Sequence, residues 1–77
     1  MPHVTIKHFP RNFTHQEQQR LAAEITALVL ENFDTHGDAV SIALEPVEKP
    51  EWHEKVVVPE VTERAELLIK APNYRKQ

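Results

Sequence analysis

Seventy-seven residues with no cysteine and a net charge of −3 allow one small domain, because a chain this short buries only about 60–65% of its unfolded surface. The missing cysteines exclude disulfides and thiolate metal sites and fit a reducing compartment, and nine basic residues scattered along the chain lack the concentrated face that nucleic acid needs. No apolar run approaches the roughly 20 residues of a membrane span, and the N-terminus lacks the pattern of a secretion signal, so the expected address is the cytoplasm.

The chain opens MPHVTIKHF. Proline has no amide hydrogen to give to a ladder, so Pro2 adds nothing to a first strand. Removal of the initiator methionine ahead of this small residue would make Pro2 the N-terminus. It would then carry a secondary amine, which no other residue type supplies. That amine is a base, a nucleophile or an ordinary charged terminus. Residues 3–9 alternate, with Val4 and Ile6 on one face and His3, Thr5 and Lys7 on the other, and predict a strand.

Thr14 followed by Glu17 is a reciprocal capping pattern, so a helix is expected to start at Thr14. Leu21, Ile25, Leu28, Val29 and Phe33 then form one apolar stripe at helical spacing. DTHGD ends it, with Gly37 near the stop. AVSIALE predicts a second strand, with Val40, Ile42 and Leu44 on one face and Ser41 and Ala43 on the other. PVEKPEW reads as an ordered turn. Beyond it, Val61, Ala65, Leu68 and Ile69 follow a helical period, which predicts a C-terminal helix from about Pro59 to Lys70, stopped before Pro72.

These elements predict an α/β (α+β) chain with a single domain over residues 1–77: a right-handed β-α-β unit with parallel strands and a C-terminal helix. One such unit covers a single face of a two-stranded sheet and cannot bury its own apolar surface. A homodimer completing a four-stranded sheet is the expected assembly, with a hexamer as the alternative. Oligomerisation also replaces the disulfides and metals that usually staple a core of this size.

In this order, MP with an alternating strand, a capped helix, SIALEPV and Trp52 resemble the 4-oxalocrotonate tautomerase family over about residues 2–52. The tail WHEKVVVPEV…LLIKAPNY is similar to the longer dimeric bacterial members. The resemblance implies the β-α-β fold and a mature N-terminal Pro2 acting as general base in keto–enol tautomerisation, with no cofactor. An α-amino group titrates near 8 in reference peptides, and burial in an apolar pocket or a nearby cation disfavours its ammonium form. Either effect would bring the base close to neutral pH, where it accepts and returns protons well.

The resemblance further implies that Arg11, in the loop FPRNFT, binds a substrate carboxylate, though it stands one residue displaced from the short members; the alternative is a solvated loop arginine. It implies that Trp52 lines the pocket, the alternative being core or interface. Ser41 is a departure, because the family's best-known members carry an arginine there that polarises the substrate carbonyl. Serine brings no charge, which disfavours dicarboxylates and favours a mono-acid with an apolar or aromatic tail. Lys7, Lys49 or Lys70 would be the replacement cation, and nothing selects among them. His3, beside Pro2, is the remaining pocket candidate, and the other four histidines are expected at the surface.

The five histidines show no metal-ligand spacing, and one glycine cannot build a phosphate cradle, so neither a metal nor a nucleotide is expected. The expected partners are a small keto or enol acid and further copies of the chain. Two alternatives stay open: a non-enzymatic homo-oligomer, and a hydratase or dehalogenase of unsaturated acids on the same fold. For the latter, no water-activating carboxylate can be assigned.

Overall fold

The computed structural model describes residues 1–73. They fall into two compact units, the first Met1–Pro46 and the second starting at Val47.

The first unit holds strand β1 (His3–His8), helix α1 (His15–Asn32) and strand β2 (Ser41–Pro46). The strands pair in parallel, with Val4 opposite Ile42 and Ile6 opposite Leu44. Those four residues are half-buried while His3, Thr5, Ser41 and Ala43 between them are exposed. A slip by one residue would turn this apolar face outward, so burial of one face sets the register. The β-α-β unit is therefore as expected.

The expected cap starts α1. Thr14 Oγ1 accepts the Glu17 N–H at 3.1 Å and Glu17 Oε1 accepts the Thr14 N–H at 2.9 Å. Together these bonds satisfy two N–H groups that the helix itself cannot pair. At the other end the chain turns extended at Phe33, whose N–H donates to the Val29 carbonyl at 2.8 Å. Asn32 Nδ2 donates to the Leu28 carbonyl at 2.8 Å. Gly37 begins a short 3₁₀ turn and has no positive φ, so the helix stops without a left-handed glycine.

The apolar stripe is narrower than expected. Val29 is buried and Leu21 and Ile25 are half-buried, but Leu28 and Phe33 are each 60% exposed. The covered arc runs through Leu21, Ala22, Ile25, Thr26 and Val29, and Leu28 falls off its edge. Phe33 lies past the last helical turn and follows the departing backbone.

The second unit corrects the expected helix over 59–70. The helical segment is a π-helix, His53–Thr62, followed by a 3₁₀ turn at Ala65–Leu67, and Ile69 and Lys70 lie outside both. Pro59 is inside the π-helix. In an α-helix its ring would press on the carbonyl four residues back, at Lys55; the wider winding relieves that clash. The Glu63 N–H donates to the Val58 carbonyl, five residues earlier, at 3.0 Å. Ion pairs Glu51–Lys55 at 3.0 Å and Glu60–Arg64 at 3.1 Å lie along the segment.

Candidate active site

The ladder extends one step beyond β1 to hold Pro2. The Ser41 N–H donates to the Pro2 carbonyl at 3.2 Å, so Pro2 is anchored at the sheet end with Met1 fully exposed ahead of it. His3 stands directly opposite Ser41 in the register. Its Nδ1 lies 2.6 Å from Ser41 Oγ and its Nε2 lies 3.0 Å from Thr5 Oγ1. A neutral imidazole donates from one nitrogen and accepts at the other, and the two hydroxyls rotate to match. Ser41, His3 and Thr5 thus form one hydrogen-bonded row on the outer face of the sheet. Strand alternation sets Pro2 on the other face, with Val4 and Ile6.

Arg11 follows the opposite end of β1. The strand His3–His8 is about 17 Å long at the usual rise per residue, and it lies between Pro2 and Arg11. Arg11 Nη2 donates to Glu17 Oε2 at 3.3 Å, and its Cζ sits 4.2 Å from the Phe13 ring centroid. The Thr14 backbone N–H, and after it the Arg11 guanidinium, hold the Glu17 carboxyl below the usual carboxylate range.

His8 is half-buried rather than at the surface. Its Nδ1–H donates to the Phe9 carbonyl at 2.7 Å, and its ring meets Phe13 edge-on at 5.6 Å. His8 Nε2 is shielded from solvent and has no partner among the described residues. A cleft of about 290 Å³ is lined here by His8, Arg11, Asn12, Phe13 and Gln18. A larger groove, about 360 Å³, runs between α1 and the Ile42 and Leu44 side chains. Pro2 lines neither.

Trp52 belongs to the second unit, where it is half-buried and leads into the π-helix. Of the expected site residues, the structure brings His3 and Ser41 together at one end of the sheet, holds Pro2 at that end on the opposite face, and puts Arg11 at the other end. No group of three potential metal ligands occurs among the described residues.

The family described as Tautomerase enzyme matches residues 2–62. The chain belongs to the tautomerase family. It is similar to Tautomerase PptA of Enterobacter sp. (strain 638), 36% identical over 74 residues that make up 96% of this chain and 97% of that one. Tautomerase PptA of Escherichia coli O9:H4 (strain HS) is 35% identical with the same coverage of both chains. The protein of that name in Pectobacterium carotovorum subsp. carotovorum (strain PC1) is 31% identical, again over 96% of this chain and 97% of its own. Membership supports an isomerase-type enzyme with a tautomerase-like function. No helix among the described residues is long and apolar enough to cross a membrane.

Four residues of this tautomerase-family chain join the candidate site without having been singled out for it. Thr5 was findable, since two residues from His3 on a strand is the same face. Glu17 had a signal that pointed to another role, the helix cap, and Phe13 was read only as part of the loop FPRNFT. His8 had none, because its place depends on how the chain turns after β1.

Proposed function

We propose that the protein is a cofactor-independent keto–enol tautomerase of 2-keto acids or their enols, with Pro2 as general base once Met1 is removed. The family match over residues 2–62, whose first residue is Pro2, carries this reading. The bond from Ser41 N–H to the Pro2 carbonyl supports it, because it holds the residue on which the amine sits. The free amine takes a proton from the enol oxygen or the carbon beside the carbonyl and returns it to the other atom. While Met1 remains attached, the same nitrogen is an amide and accepts no proton at neutral pH.

Arg11 would hold the substrate carboxylate through paired donors. With β1 between Pro2 and Arg11 along one chain, the reading has Arg11 come from a second copy, in a homodimer or, alternatively, a hexamer. Open strand edges and the exposed apolar residues Phe9, Leu28, Leu30 and Phe33 support self-association. Ser41 and His3, on the sheet face opposite their own Pro2, would bond the oxygen of a substrate held by another copy's Pro2, and Trp52 would supply apolar wall. Uncharged Ser41 favours an aryl enolpyruvate over a dicarboxylate enol, and the cytoplasm remains the expected address.

The test compares a mature chain starting at Pro2 with one carrying an uncleaved extension, both shown to be folded. The free chain should tautomerise an aryl enolpyruvate about 10²–10⁴-fold faster. Equal rates would remove Pro2 as the base.

A further inference from the structure

The Arg11 end of β1 carries more structure than a solvated loop requires. The guanidinium lies over Phe13 at 4.2 Å, which fixes its plane. Nη2 is bonded to Glu17 Oε2, while Nε and Nη1 have no protein partner among the described residues. Glu17 is held in turn, because its Oε1 accepts the Thr14 N–H and its own N–H donates to Thr14 Oγ1. The carboxylate cannot swing away from Arg11 without opening the helix cap. A planar guanidinium with one face on a ring and one nitrogen on a fixed carboxylate keeps one free edge. The cleft containing His8, Asn12 and Gln18 lies beside it.

We infer that Glu17 is a specificity-determining residue, which weakens anion binding at the free edge of Arg11 relative to neutral molecules of the same shape. This rests on the reading of Arg11 as the group that holds a substrate carboxylate. A carboxylate on that edge would lie about 6–7 Å from the Glu17 carboxylate, across the guanidinium. With the screening of a half-exposed pair, like charges at that distance change affinity about three- to tenfold. The effect should shrink as salt is raised. Glu17 thereby tempers the one arginine among the described residues that line the cleft, so that an apolar tail and not charge alone decides what binds.

The experiment titrates the whole protein with 3-phenylpropanoate and with its neutral counterpart 3-phenylpropanamide, following the Arg11 Nε–H resonance and the heat of binding. Glu17→Gln removes the charge but keeps the cap, because a glutamine carbonyl still accepts the Thr14 N–H. The expected result is a Kd for the carboxylate lower by about three- to tenfold in Glu17→Gln at low salt, with the amide unchanged. Arg11→Ala should abolish the preference for the carboxylate. If Arg11→Ala weakens the carboxylate but Glu17→Gln leaves it unchanged or weaker, the inference about Glu17 is overturned and the reading of Arg11 stands. If Arg11→Ala leaves carboxylate affinity unchanged, the reading of Arg11 itself fails. Equal shifts for carboxylate and amide in Glu17→Gln would mark a structural role and overturn the inference.

Discussion

Mixing two inactive variants should restore activity. One variant carries an uncleaved extension ahead of Pro2, and the other is Arg11→Ala. The strand His3–His8 interposes about 17 Å between the two residues, whereas an arginine side chain reaches roughly 7 Å. Within one chain, then, Arg11 falls well short of a substrate held at Pro2. If each site joins Pro2 of one copy to Arg11 of another, random reassembly of an equal mixture gives both groups in about a quarter of the sites. The same fraction holds for a dimer and for a hexamer, because each site needs one intact group from each of two independently drawn chains. The assay is refolding or co-expression of the two variants, followed by the initial rate of aryl enolpyruvate ketonisation per subunit. Recovery to about a quarter of the unmodified rate is expected, against near-background rates for either variant alone. If the mixture is no faster than the sum of its parts while exchange of subunits is demonstrated, the shared site is refuted.

Glu17 makes the acid limb of stability depend on its charge. Its folded carboxyl titrates lower than the free one, so its contribution is complete above the unfolded value of 4.5 and is lost as pH falls through the lower folded one. Urea unfolding from about pH 6 to 3 should therefore be flatter for Glu17→Gln than for the unmodified chain, and parallel losses would contradict the assignment. Val29 is 8% exposed and Leu28 is 60% exposed. Val29→Ala should cost about 1–3 kcal/mol in equilibrium unfolding and Leu28→Ala, at equal subunit concentration, clearly less, and the reverse order would mean the buried arc of α1 is misassigned.

The parts of this fold that could be read in the residues are those whose cause is local. Val4 and Ile6 against His3 and Thr5 announce a strand because side chains alternate whatever lies nearby. Thr14 and Glu17 announce the start of α1 because both bonds of the cap close within four residues. The same locality fails in the C-terminal unit. Val61, Ala65 and Leu68 match an α-helical period, but Pro59 forces a wider turn, and the segment starts at His53. The outward position of Leu28 also escaped the pattern, since spacing shows that a residue is near a stripe and not where its edge falls.

For the candidate site, the sequence by itself determined the chemistry on offer: one proline next to the start, an arginine after the first strand, an uncharged serine at the head of the second. Tertiary structure alone decided which of these meet. His3 and Ser41 are 38 positions apart and share a hydrogen bond because the parallel register puts them opposite. Pro2 and Arg11 are much closer in the chain, yet an extended strand keeps them at its two ends. Arg11 instead meets Glu17, because the chain turns after β1 and α1 begins beside it. Alternation and capping act over a few residues and are written into them, whereas a neighbour across a sheet is set by the burial of the whole apolar face, which no single residue carries.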